Sequence, residues 1–207
     1  VKDLTMHYQT RQGAVKAVDG ISFDLARGEV LGLVGESGCG KTSVAISFMK
    51  LLPDNARVIK GQVLLDGQDL LTMDDGTLRD YRWRRISMIF QAAMNSLDPV
   101  HRVRDQIIEA LEAHDMFATM AEARETVDRL FRFVGLDPRL TGQYPHEFSG
   151  GMRQRAVIAM ALACQPDVVI ADEPTTALDV IVQDRILRQI KEIQRNLNMS
   201  IIYITHD

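Results

Sequence analysis

The sequence predicts an α/β fold built on a mostly parallel sheet, and three observations predict it. Short apolar runs alternate with stretches of helical periodicity, one of these runs opens into a glycine-rich loop and a helix, and the others end in polar side chains able to do chemistry. In a sheet of that kind ligands collect at the carboxyl ends of the strands.

Residues 1 to 34 read as a β-rich start. Leu4, Met6 and Tyr8 alternate, Ala14 to Val18 follows a polar turn at Gln9 to Gly13, and Ile21 to Leu25 precedes a second turn at Arg27-Gly28. Glu29 to Val34 is a short apolar run of the buried-strand type, and it leads into Gly35-Glu36-Ser37-Gly38-Cys39-Gly40-Lys41-Thr42. The spacing is a glycine, four residues, then Gly-Lys-Thr, with Ser43 next. Glycines let the backbone turn its N–H groups inward, and a helix starting near Lys41 aims its positive end at the same point, which makes a phosphate cradle. Lys41 is placed to reach the β- and γ-phosphates and Thr42 to ligate Mg²⁺.

Further along, Pro53 to Lys60 breaks the pattern and Gly61 to Gly67 reads as a strand closing in an Asp-Gly turn. Leu78 to Arg85 is a charged helical segment, and Ile86 to Phe90 is a strand ending at Gln91. From residue 92 the character turns helical. Ile107, Ile108 and Leu111 mark one amphipathic helix, and Val127, Leu130, Phe131 and Val134 mark a second, closed by Gly135 and Pro138. A helical block set between strands predicts a subdomain with hinges near Gln91 and Gly150. Ser149-Gly150-Gly151 opens a helix running to about Cys164. Asp167 to Glu173 is an apolar strand ending in two carboxylates, a helix with Ile186, Ile190, Ile193 and Leu197 on one face follows, and Ser200 to Thr205 is a last strand ending at His206.

The phosphate loop, Gln91, Asp172-Glu173 and His206 thus fall on one edge of the sheet. Asp172 is placed to hold Mg²⁺, Glu173 to orient an attacking water and accept its proton, and His206 to hydrogen-bond the γ-phosphate. Tyr8 reads either as an aromatic able to stack on adenine or as a half-buried strand tyrosine. Ser149, on spacing alone, reads as the N-cap of the helix behind it.

Composition narrows the classes of function. Lys plus Arg number 24 against 28 Asp plus Glu, a net charge of −4, so the chain lacks the positive field that holds a nucleic-acid backbone, and no nucleic-acid partner is expected. No apolar run approaches the ~18 residues of a membrane span. Cys39 and Cys164 have no metal-ligand spacing. The chain begins on Val1 and stops just after an apolar strand, which predicts a C-terminally truncated piece of a longer protein.

Taken in order, Gly35 to Thr42, Gln91, Phe148-Ser149-Gly150-Gly151-Met152-Arg153-Gln154-Arg155, Val168 to Glu173, Ala177-Leu178-Asp179 and His206 resemble the ATP-binding subunit of ABC transporters. Gln91 to Val100 and Phe148 to Arg155 are similar to the branch serving dipeptide, oligopeptide and nickel importers, including Met152 where the family at large has glutamine. The resemblance implies a P-loop NTPase (RecA-like) core with an N-terminal antiparallel β unit. It implies a single nucleotide-binding domain over residues 1–207, with the core in 1–91 and 156–207 and an inserted α-helical subdomain in 92–155.

It also implies ATP and Mg²⁺ as cofactors, the metal held by Thr42, Gln91 and Asp172, and hydrolysis by Glu173 with His206, Lys41 and Gln91. Tyr8 becomes the adenine-stacking residue. Ser149-Gly150-Gly151 becomes the stretch that completes the ATP site of a second subunit in a head-to-tail dimer, with Asp179 signalling across it. The implied partners are that second subunit, of the same or a related chain, a membrane permease docking on residues 92–105, and indirectly a substrate-binding protein, at the cytoplasmic face of the membrane. Two other classes are expected to fit less well: an ATPase acting on DNA or ribosomes, which needs long coiled-coil or basic insertions, and a nucleotide sensor without turnover, which has no need of Glu173 and His206.

Overall fold

In the computed structural model, which describes residues 1–91, 96–175 and 180–206, the first half of the chain runs β1 (Lys2–Thr10), β2 (Gly13–Ile21), β3 (Val30–Val34), α1 (Lys41–Phe48), β4 (Ala56–Gln62), β5 (Leu64–Leu65), β6 (Gln68–Asp69), α2 (Asp75–Tyr81) and β7 (Ile86–Ile89). It continues as α3 (Val103–Glu112), α4 (Met120–Phe133), α5 (Gly150–Ala161), β8 (Val168–Asp172), α6 (Val180–Leu197) and β9 (Ser200–Thr205). Strands β3, β9, β8 and β7 pair in that order, all parallel, while β2, β1 and β4 form a separate antiparallel sheet.

Alternation along the parallel strands divides the interior in two. Ile86, Met88, Val168, Ile170, Ile202 and Ile204 point to one face, where Val44, Ala45 and Phe48 of α1 and Leu4, Met6 and Val18 of the antiparallel sheet cover them. Ile89, Val169, Ala171 and Ile201 point to the other, into one core with α3, α4, α5 and α6. Among the described residues the helical block shares its core with this face of the sheet, and α5 runs through residue 155 without interruption. The two amphipathic helices follow their patterns: Ile107, Ile108 and Leu111 of α3 and Val127, Phe131 and Val134 at α4 are buried. Thr119 caps α4 by accepting from Glu122 N–H, and Glu122 accepts in return from Ala118 N–H, satisfying donors the helix cannot.

Several expected boundaries move. Ile21 to Leu25 is not a strand: β2 ends at Ile21, and Phe23 instead exchanges backbone hydrogen bonds with Val1 while its ring meets Phe48 edge-on. Pro53 to Lys60 does not break the β pattern throughout, because Ala56 begins β4 along β1; the strand expected over Gly61 to Gly67 is the end of β4 followed by a short β5–β6 hairpin about Asp66-Gly67. The helix expected over Leu78 to Arg85 stops at Tyr81, where Trp83 adopts a φ of +68° and Arg85 turns back to bind Asp66 and Asp167. Helix α5 ends at Ala161, short of Cys164.

Among the described residues no helix is long and apolar enough to cross a membrane.

Candidate functional site

The turn between β3 and α1 takes its shape from three of its glycines. Gly38 and Gly40 have φ of +81° and +97°, the left-handed region that side chains avoid, and a Cβ on Gly40 would lie 2.2 Å from the Ala17 carbonyl oxygen. A Cβ on Gly35 would lie 2.8 Å from Cys39 Sγ. Gly40 caps α1 without a side chain, so the helix leaves its first N–H groups directed into the loop. The Lys41 ammonium curls back over the loop, donating to the carbonyls of Gly35 at 2.6 Å and Glu36 at 2.8 Å.

Around this loop lies a cleft of about 450 Å³ lined by Ser37 to Ser43, Gln91, Glu173, Tyr8 and three residues of β2, Val15, Lys16 and Ala17. Tyr8 sits on β1 opposite Val15, and its hydroxyl is 3.2 Å from the Ser43 hydroxyl, so the aromatic ring is fixed against the start of α1. The β2 residues were not singled out from the sequence. Their signal is indirect: the register that pairs Tyr8 with Val15 carries the neighbouring residues of β2 to the same rim.

The strand ends converge as expected. Glu173 follows β8, has a φ of +47°, and is only 10% exposed at its side chain. Its Oε2 accepts from Gln91 Nε2 at 3.0 Å, and its Oε1 lies 2.8 Å from His206 Nδ1. Three strand ends thereby fix one carboxylate at the cleft wall. A non-glycine residue in the left-handed region costs of order 1–3 kcal/mol and persists only where its surroundings hold it.

Asp172 is different. It is 1% exposed, and neither carboxylate oxygen has a hydrogen-bond partner among the described residues. Burial pushes its carboxyl above the ordinary value; the nearby Thr42 hydroxyl and Lys41 ammonium pull it back, and Glu173 adds to the rise. A buried anion with unused lone pairs beside a hydroxyl is a donor set suited to a hard, oxygen-loving cation such as Mg²⁺.

Ser149, Gly150 and Gly151 do not line the cleft. Ser149 is exposed and caps α5, its hydroxyl accepting from Met152 N–H. Behind it Arg153 donates to the Phe148 carbonyl at 2.7 Å, and Arg155 donates to the carbonyls of Gly151 at 3.2 Å and Gly135 at 2.9 Å. Asp179 and the first residues of the expected permease dock, 92–95, lie outside the described residues.

Known proteins similar to this chain fall in one family. The family model described as "ABC transporter" matches residues 18–176. The dipeptide transport ATP-binding protein DppD of Bacillus subtilis is 51% identical over the whole chain, and the probable peptide ABC transporter ATP-binding protein y4tR of Sinorhizobium fredii is 47% identical. The chain spans 62% of the length of each of these two relatives. Among solved structures, the dimeric post-hydrolysis state of the ATP-binding cassette MJ0796, bound to ADP and Pi, superposes with a TM-score of 0.87 at 25% identity, covering all of this chain and 87% of that one. With its phosphate loop, strand-end carboxylates and P-loop NTPase fold, the chain belongs to the ABC transporter family.

Proposed function

We propose that this chain is the ATP-hydrolysing part of an importer for peptides, working at the cytoplasmic face of a membrane as one half of a head-to-tail dimer. The single observation that carries the catalytic part is the clamped Glu173 carboxylate, held by Gln91 and His206 beside the buried Asp172. The peptide cargo rests on the relatives, which are described as dipeptide and peptide transport proteins.

The phosphate loop and Lys41 bind the phosphates of ATP, and the Tyr8 ring, steadied by Ser43, supports the adenine. Thr42, Asp172 and Gln91 are the residues that would hold Mg²⁺, which when bound neutralises charge on the β- and γ-phosphates. Glu173 orients a water in line with the γ-phosphorus and takes its proton as the new P–O bond forms and the bridging bond to ADP breaks. Gln91 and His206 keep that carboxylate from turning away, and His206 also reaches the γ-phosphate. Ser149-Gly150-Gly151 serves the ATP site of the other subunit, as its place outside this chain's own cleft supports. The stretch 92–105 docks the permease, with Asp179 signalling across the dimer.

The test is Glu173→Gln. It is expected to keep ATP binding, trap the closed dimer and cut turnover by about 10²-fold or more. Turnover at the unmodified rate in that variant overturns the assignment.

A further inference from the structure

Helix α6 reaches the Ser149–Gly151 turn of its own chain. A Cβ on Gly151 would lie 2.9 Å from Val182 Cγ1, closer than carbon atoms approach, and the obstacle is a stiff branched side chain rather than the end of a flexible one. Next to Val182, Gln183 donates from Nε2 to the Thr175 carbonyl at 3.2 Å, which ties the first turns of α6 to the stretch leaving Glu173. Deeper along α6, Gln189 packs so tightly on Gly135 that a Cβ there would lie 2.4 Å from its Nε2, and Arg155 joins the Gly135 and Gly151 carbonyls. The turn is thus pressed from behind by α6 and held from the side by Arg155. Its glycine is required by contacts inside one chain, before any nucleotide from another subunit is considered.

We propose that Val182 is a positioning residue: packed behind Gly151, it sets the place of the Ser149–Gly151 turn that completes the neighbouring site. This rests on the functional reading above. A displacement of ~1 Å in a positioning group can cost about 10²-fold in rate, so Gly151→Ala is expected to lower turnover by about ten- to a hundredfold.

The experiment uses the full-length protein with its natural partner subunit and compares Gly151→Ala, Val182→Ala and the double variant for ATP turnover, for binding of a fluorescent ATP analogue and for thermal melting. The double variant is expected to recover most of the turnover lost in Gly151→Ala, because shortening Val182 makes room for the added methyl. Analogue binding measured on the full-length chain before its partner is added, where only the cleft of that chain takes part, is expected to stay within about twofold throughout, since ~0.4 kcal/mol is all that such a change represents. If Gly151→Ala also fails to fold, recovery of both melting and turnover by Val182→Ala supports the proposal equally. An unrescued Gly151→Ala in an otherwise active protein overturns it and assigns the glycine wholly to the other subunit's nucleotide. Absence of turnover in the unmodified protein overturns instead the functional reading beneath it.

Discussion

The chain carries two glycine-rich turns at helix starts, and they are built by opposite rules. In the phosphate loop, Gly40 is confined by backbone: its Cβ would strike the Ala17 carbonyl of β2, and its own φ is left-handed. In the Ser149–Gly151 turn, Gly151 has no such φ and is confined by a side chain, Val182. The first turn is part of a walled cleft; the second, with Ser149 exposed, is braced from behind by α6 and from the side by Arg155. The phosphate loop has its backbone fixed against other backbone, whereas the Ser149–Gly151 turn is held through side chains, which a second substitution can adjust.

That contrast breaks most visibly at Gly40. Gly40→Ala combines a strained φ with a clash that no side-chain change relieves, and the cost is about 3–5 kcal/mol. Expected in a thermal melt is a fall of about 10 °C or more, together with loss of ATP-analogue binding. No second substitution at Ala17 rescues it, because the obstructing atom is a carbonyl oxygen. Rescue there would erase the distinction between the two turns.

Much of the gripping half was legible in the sequence. Gly35 to Thr42, Gln91, Asp172, Glu173 and His206 each follow a short apolar run, and parallel strands of one sheet must end on one edge, so local pattern fixed their convergence. The bracing half was not. Val182 and Gln189 sit on a helix whose buried face is marked by Ile186, Ile190 and Ile193, and nothing in that periodicity says which of the flanking residues meets Gly151 or Gly135. Val15, Lys16 and Ala17 were missed for a related reason, since strand pairing across a bulged register brings them to the cleft. Phe23 was misread because its partner is the chain's first residue, a pairing with no local sequence mark.

Within the cleft, Glu173 is held by Gln91 and by His206. His206→Ala leaves Gln91 on Oε2 and removes the ring from Oε1, so the carboxylate keeps its place in part. Turnover is expected to fall about tenfold with ATP binding retained, a smaller loss than Glu173→Gln gives, as suits a group that orients another. Equal losses in steady-state turnover would mean that the histidine does more than hold the carboxylate in place.

The smallest effect concerns stability, and it separates Asp172 from Glu173. Glu173 is held by Gln91 and His206, whereas neither oxygen of the buried Asp172 carboxyl has a hydrogen-bond partner among the described residues. Its folded pKa stands above the ordinary 3.8. Above that raised value the ionised carboxylate therefore weakens the nucleotide-free fold. As pH falls from the raised value towards 3.8, the folded chain takes up the proton before the unfolded chain does, and the lost stability returns. Asp172→Asn removes the charge. Without nucleotide the variant is expected to melt about 2–4 °C higher at pH 7, equivalent to about 1 kcal/mol, with the advantage shrinking as pH is lowered through that window. In the same variant, Mg²⁺-dependent ATP binding is expected to weaken. A residue kept at the expense of the empty fold serves the filled one, and a variant no more stable than the parent at pH 7 would show that the buried carboxylate is compensated from within the chain.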